Sequence, residues 1–279
     1  MSTEEKHNPL DSLVTVQRTI AVLEMLTDSH AGMSISDIAK ELDVNKSIAL
    51  RIASTLEALN YLYRNSENKR YYAGYKISNL GMRLLGRARL LDECLPILRQ
   101  LAEQTGELVL FSVLDRDVPR WVLAVTGIRR RLQVEPMTSM ELHSTATGKA
   151  WLATLADEDV RQRLQGGMRA VTPYTITDLE KMLAELDGIR QSGISFSNQE
   201  NETGIASVAT GIRRHRTGPY VGFVSVTAPL VRASMEDFDR YRSLIRKAAE
   251  SLGDRWPLAI TGELSEGTKF GEGTQIYSQ

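Results

Sequence analysis

The stretch Val44–Ile77, VNKSIALRIASTLEALNYLYRNSENKRYYAGYKI, decides how the first part of this chain must fold. Asn45 stands where it can cap a helix, and Ile48, Ile52, Thr55, Leu56 and Leu59 recur at helical spacing as its predicted buried stripe. Lys46, Ser47, Leu50, Arg51 and Ser54 fall on the opposite face and are expected to point outward. After Asn60, YLYR and RYYA alternate as strands around the turn-forming NSENK, predicting a two-stranded wing that carries Arg64, Lys69 and Arg70. Tyr61, Leu62, Tyr63, Tyr71 and Tyr72 supply both its inner wall and its outer face.

Upstream, SISD offers a capping box from Ser34 to Asp37 ahead of Ile38, Ala39 and Leu42, and LDVN interrupts that short helix before Asn45. Two helices joined by so short a turn read as helix-turn-helix. A further amphipathic helix precedes them, with Val16, Ile20, Leu23 and Leu26 as its apolar stripe. The third helix is then a recognition helix, whose outward residues fit a DNA major groove. Lys46 and Arg51 can donate to guanine or phosphate, Ser47 and Ser54 can serve either, and Leu50 can rest on a thymine methyl. Ser36 on the preceding helix joins the expected DNA-binding set, and the wing bases would sit on phosphates. A protein-interaction role for the same winged helix stays open on pattern alone.

Charge placement sharpens this reading. The chain of 279 residues has a net charge of -1, yet Ser34–Arg89 holds ten bases against five acids, which makes that segment +5 and the remainder -6. The length suits two domains. No apolar run approaches the roughly 18 residues of a membrane span, and the polar, acidic start MSTEEKHNPLDS is unlike an export signal. A single cysteine, Cys94, excludes an intramolecular disulfide and fits a reducing cytoplasm.

From Ile77 to Leu91 helical spacing returns (Ile77, Leu80, Leu84, Leu85), predicting a linker helix with bases at Arg83, Arg87 and Arg89. A helix over Glu93–Gln104 then leads into the strand-like ELVLFSVLD and RWVLAVTG. Helices are expected over Ser144–Leu155, Asp178–Ser192 and Ser234–Leu252, and strands around Ile194, Ile205–Ile212 and Val221–Ala228. That alternation predicts an α+β or mixed-sheet domain. The tail from Thr261 is glycine-rich and polar and is expected to be mobile.

The segment HSTATGKA invites two enzyme readings and fails both. His143 stands where a phosphate loop needs its first glycine, and Ala150 replaces the hydroxyl residue that would hold magnesium. Ser144 and Lys149 are five apart, too far for a Ser-x-x-Lys nucleophile. Lys149 is expected to be solvated or to anchor its helix, and His143 to be packed or capping, since none of the four histidines has a partner at ligand spacing. No metal or cofactor is therefore expected. Small residues opening a helix do leave backbone amides reachable, which favours an anion such as a carboxylate. Ser225 and Thr227 alternate in a strand and face either solvent or a pocket. Arg129–Arg131 reads as a solvated loop in which one arginine could pair an acidic ligand, and Trp121 and Trp151 as core.

VQRTIAVLEML, SISDIAKELDVNKSIALRIASTLEALNYL, LHSTATGKAWLA, GISFSNQENETGIASVATGI and VGFVSVTAP occur here in the order in which IclR-type bacterial transcription regulators carry their counterparts, and from about Val14 to Leu252 the chain resembles that family. The resemblance implies a winged helix-turn-helix, residues 1–76, joined by a linker helix, 77–91, to a C-terminal α/β effector-binding and oligomerisation domain, 92–260, with a curved antiparallel or mixed sheet; 261–279 is the tail. It places Lys46, Ser47, Arg51 and Thr55 on the recognition helix, with Leu50 where the family commonly has histidine. It also implies an effector pocket lined by Leu132, Met140, Ala146 and Thr147, with hydroxyls from Ser197, Ser207, Ser225 and Thr227. Ser197 stands where an acid is frequent, and ATGI replaces a frequent Ala-Ala-Pro, which suits a carboxylate ligand with a ring, although small aliphatic acids fit the reading too.

The expected protein is a cytoplasmic, nucleoid-associated regulator, not an enzyme, that binds double-stranded operator DNA as a dimer or dimer of dimers. It would answer to a small organic acid, control genes for catabolism, and touch RNA polymerase if it activates. Two alternatives differ in class: an enzyme acting on a small acid with an N-terminal assembly module, and an interaction scaffold without salt-dependent DNA affinity.

Overall fold

The computed structural model describes residues 13–87, 89–128, 140–215 and 217–256. Leu132, the Arg129–Arg131 run and the tail from Thr261 lie outside the described residues. The chain divides into two compact units, Met1–Leu85 and Gly86–Gln279.

In the first unit, α1 (Val14–Asp28), α2 (Ile35–Glu41) and α3 (Lys46–Ala58) precede β1 (Leu62–Arg64) and β2 (Tyr71–Ala73). The local signals act as read. The Asp37 amide donates to Ser34 Oγ at 3.2 Å and the Ser34 amide to Asp37 Oδ2 at 3.0 Å, while Asn45 Oδ1 accepts from the Ile48 amide at 2.9 Å. Between α2 and α3 the chain reverses through Asp43, whose φ of 50° lies in the left-handed region that aspartate tolerates better than most residues. β1 and β2 pair antiparallel, with Tyr63 opposite Tyr72, and Asn65 Oδ1 accepts from the amides of Glu67 and Asn68 to close the wing.

Two stripes differ from their sequence expectation. Thr55 of α3 and Leu59, which caps its C-terminus, are exposed, and α3 buries Ala49, Ile52, Ala53 and Leu56 in the core it shares with Ile38 and Ala39 of α2. Alanines allow the two helix backbones to approach where the larger residues would hold them apart. In α1, Val22 and Leu26 are buried while Val16 and Ile20 remain about half exposed, at 54% and 48%. Helix α4 (Tyr75–Arg87) ends short of Leu91: Arg89 takes a φ of 52°, and the short α5 (Leu90–Glu93) restarts from it.

The second unit continues with α6 (Leu95–Thr105), β3 (Leu108–Asp115), β4 (Val118–Val125), α7 (Ala146–Leu152), α8 (Asp157–Arg163), α9 (Leu179–Ser192), β5 (Ser195–Asn198), β6 (Ile205–Arg213), β7 (Tyr220–Pro229) and α10 (Met235–Asp254). The strands form one five-stranded sheet in the order β4-β3-β7-β6-β5, and every pairing is antiparallel, so the mixed-sheet alternative is not realised. α8 has no counterpart in the sequence reading, and α7 is shorter than the Ser144–Leu155 expected.

Because side chains alternate along each strand, the register sorts the sheet into two unlike faces. Val109, Phe111, Val224, Val226 and Val208 form an apolar face, and the aromatic contacts Phe111–Trp256 and Phe196–Phe238 fasten the C-terminal segment to it at 5.6 and 5.3 Å. The other face presents Leu110, Ser225, Thr227, Ser207 and Ser197, and α7 and α9 pack on that side through Trp151, Leu152, Met182 and Leu186 against Ala209 and Phe223.

Leu56, 3% exposed, joins α3 to the core of the first unit. Leu56→Ala is expected to lower the stability of that unit by about 2–5 kcal/mol. Native-state hydrogen exchange checks it: first-unit amides should lose protection while those of β7 keep theirs.

Candidate functional site

Two surfaces carry the residues that the sequence singles out. On α3, Lys46, Ser47, Leu50, Arg51 and Ser54 are all exposed, and their spacing places them along one side of the helix from its capped N-terminus. Among the described residues, Lys46 and Arg51 enter no ion pair, so both charges are available to an external anion. Thr55, also exposed, donates its hydroxyl to the Arg51 carbonyl at 2.8 Å, a use internal to the helix. Ser36 is exposed on α2.

The wing bases are not alike. Lys69 is exposed in a left-handed turn at φ 59°. Arg64 is exposed, donates Nε to the Lys69 carbonyl at 3.3 Å and lies 5.7 Å over the Tyr71 ring. Arg70 is committed inward: its guanidinium donates to the Gly32 carbonyl at 2.9 Å and to Asp37 Oδ2 at 3.2 Å. It ties the wing to the start of α2. The Ser34 amide and hydroxyl, with Arg70 and Lys40 nearby, hold the Asp37 carboxyl below the ordinary carboxylate range.

The second surface is a pocket on the hydroxyl face of the sheet. It has a volume of about 50 Å³, and Ala146, Thr147, Ser197, Ser207, Ser225 and Thr227 all line it. Ser197, Ser207 and Thr227 are register partners across β5, β6 and β7, so three hydroxyl residues form one row. Ser207 and Thr227 share a hydrogen bond at 2.9 Å, and Ser197 donates to the Ser144 carbonyl at 2.6 Å. Ser225 and Thr227 are 2% and 6% exposed; they face this pocket and not solvent. Met140 is half-buried and is not among the lining residues.

At the head of α7, Thr145 caps the helix by accepting from the Gly148 amide at 3.1 Å. The first-turn amides of Ala146 and Thr147 have no acceptor within the helix, and both residues line the pocket. Gly148 is required there, since a Cβ on it would lie 2.3 Å from the Leu142 carbonyl oxygen.

Six lining residues were not foreseen as pocket residues: Leu110, Trp121, Thr145, Asn201, Glu202 and Ile205. Leu110 comes from β3, and Trp121, expected in the core, reaches the site through a bulge at Phe111/Ser112 that sets it opposite Ser112. Its indole nitrogen is buried without a partner among the described residues. Asn201 and Glu202 come from the turn between β5 and β6. No helical or strand periodicity marks a turn, and the bulge is a property of the pairing.

Behind the pocket, Lys149 is fully buried, so the solvated alternative does not hold and the anchoring one does. Its Nζ donates to Glu200 Oε1 at 2.7 Å and to Glu185 Oε1 at 3.0 Å. Burial pushes the Glu200 carboxyl above the ordinary range, and the Lys149 charge opposes that shift. Two threonines complete the clamp: Thr172 donates to the Gln199 carbonyl and Thr175 to the Glu200 carbonyl, each at 2.6 Å. His143 is packed, its Nε2 lying 2.9 Å from the Arg169 carbonyl. Among the described residues no group of three His, Cys, Asp or Glu side chains is placed to hold a metal ion.

Comparison with known proteins joins the two surfaces. Residues 82–254 match the family model described as the bacterial transcriptional regulator IclR C-terminal domain, and residues 15–66 match the IclR helix-turn-helix domain. The chain is 26% identical over 247 residues to the HTH-type transcriptional regulator KdgR of Dickeya chrysanthemi, covering 88% of this chain and 80% of that one. A crystal structure of an IclR transcriptional regulator from Alicyclobacillus acidocaldarius superposes with a TM-score of 0.77 at 25% identity, over 87% of this chain and 98% of the other. An IclR homologue from Microbacterium hydrocarbonoxydans, crystallised with 4-hydroxybenzoate, has the same fold, with a TM-score of 0.73 at 20% identity over 86% and 97% of the two chains.

Lys149→Met should leave the Glu200 carboxylate buried and unpaired, and is expected to cost about 3–5 kcal/mol of stability. Denaturant unfolding measures this. The double variant Lys149→Met/Glu200→Leu should recover part of the loss, because it removes both buried charges.

Proposed function

Since the chain belongs to the IclR family of bacterial transcriptional regulators, DNA-binding proteins that respond to a ligand, we propose that it binds a pseudo-palindromic operator through α3 and the wing and senses a small organic acid in the pocket beneath α7. The observation that carries the effector reading is the convergence of the Ala146 and Thr147 amides with the hydroxyl row Ser197–Ser207–Thr227 on one pocket. Amides that lack an acceptor suit a carboxylate, and hydroxyls suit its remaining oxygens. Small aliphatic acids fit this reading, and the 4-hydroxybenzoate bound to the Microbacterium homologue keeps an aromatic acid as the second one.

Self-association belongs to the same proposal. Val16 and Ile20 on α1, and Leu80, Met82 and Leu84 on α4, are apolar residues left between 46% and 69% exposed. Burying them against a second copy would pair two recognition helices on one duplex, as a palindrome requires. The helix α4 joins the two units and is the proposed transmitter. The acid must bind one arrangement of the paired DNA-binding units more tightly than another, since equal affinity shifts nothing. The expected targets are genes for use of the acid, and the protein is expected to work in the cytoplasm on the nucleoid, contacting RNA polymerase where it activates.

The test is titration of the protein against the intergenic DNA beside its own gene, over a salt series, with and without a panel of small aliphatic and aromatic acids. Specific, salt-dependent binding that one acid alters supports the proposal; weak, sequence-independent binding that no acid alters sinks it. Arg51→Ala should weaken operator binding by about 1–3 kcal/mol if Arg51 reads a base, with the footprint relaxed at one position. An unchanged affinity and footprint would remove Arg51 from the readout.

A further inference from the structure

Glu202 is the one ionisable side chain among the described residues that line the pocket. It is exposed, and among the described residues its carboxylate enters no ion pair or hydrogen bond. The turn that carries it is nevertheless held firmly. The Gly204 amide donates to Gln199 Oε1 at 3.0 Å, the Ile205 amide to the Glu202 carbonyl at 3.2 Å, and the preceding Glu200 is clamped by Lys149. Beside it, Asn201 Oδ1 accepts from Ser144 Oγ at 3.0 Å, which directs the Asn201 amide group and leaves its N–H donors free for other use.

A negative charge on a fixed turn at the edge of an acid-binding pocket has a chemical consequence. A ligand offering only a carboxylate and a hydrocarbon body gains nothing from Glu202 and is repelled by it, and a dicarboxylate is repelled twice. A ligand that carries a hydrogen-bond donor beside its carboxylate satisfies both ends, with the carboxylate against the α7 amides and the donor against Glu202. We infer that Glu202 is a specificity-determining residue, and that it selects carboxylic acids bearing an ammonium or hydroxyl donor over the same acids without one. This rests on the acid-effector reading given above. It adds a carboxylate selector from the β5–β6 turn, away from the sheet hydroxyls and the α7 amides.

The probes are three acids of the same carbon skeleton: propanoate, 2-hydroxypropanoate and 2-aminopropanoate, each titrated calorimetrically into the full-length protein and its E202Q variant. Butanoate and its 2-hydroxy and 2-amino derivatives form a second set. The wild type should bind at least one donor-bearing acid about tenfold or more tightly than its parent acid. Glu202→Gln should erase most of that preference, weakening the donor-bearing acid while leaving the parent acid unchanged or tighter. Since Glu202 is exposed and its side chain has no partner among the described residues, thermal unfolding of E202Q should match the wild type. Equal binding within a set, or an E202Q variant that weakens all members alike, overturns the inference and leaves the effector reading standing. Failure of every acid, including the wider panel, overturns the effector reading and this inference with it.

Discussion

The ammonium of Lys149 has no contact with solvent and is held between Glu200 and Glu185, and the shape of the pocket depends on that arrangement. An unpaired charge at this depth would be prohibitive, so α7, α9 and the turn after β5 must be brought together for the second unit to fold. Once they are, the consequences reach the site from both sides. Lys149 lies one turn beyond Ala146, so anchoring it fixes the amides at the head of α7. Glu200 precedes Asn201 and Glu202, so holding it fixes the turn that closes the pocket. Thr172 and Thr175 add neutral hydrogen bonds to the same backbone, which lets the turn stay in place without a large apolar contact of its own.

The sheet beneath is divided by period. Antiparallel pairing with no shift along β6 and β7, until Ile212, brings like-facing residues of neighbouring strands into rows. One set of rows is valine and phenylalanine and takes α6 and α10; the other is serine and threonine and takes the pocket. A one-residue slip in β7 would exchange them, burying hydroxyls under α10 and opening valines into the pocket. The apolar core thus holds the register, and the register places the polar site.

In the first unit the structural and recognition duties fall on different faces. Capping bonds, the core that α2 and α3 share, and the Arg70 link from wing to helix are all made inward or laterally. Lys46, Ser47, Leu50, Arg51 and Ser54 carry none of that load. A face with no internal obligations is free to be chosen for what it binds. For a regulator whose two tasks lie in separate units, the same separation lets the operator and the effector specify their contacts independently.

Much of this was determined by sequence alone. The capping box at Ser34–Asp37, the cap at Asn45, the outward face of α3 and the strand positions of Ser197, Ser207, Ser225 and Thr227 are local, because a cap bonds within three residues and side-chain direction follows the period of the element. The IclR-type motifs supplied their order and meaning. Other features were decided only when the chain closed on itself. Whether Thr55 or Ala53 was buried, whether Val16 and Ile20 were covered, whether Lys149 was solvated or buried, and whether Trp121, Asn201 and Glu202 reached the pocket all depend on what stands opposite. Periodicity tells which residues share a face, but the partner of that face comes from distant parts of the chain. Burial, ion pairing and the convergence of turns into a site are therefore properties of the tertiary structure.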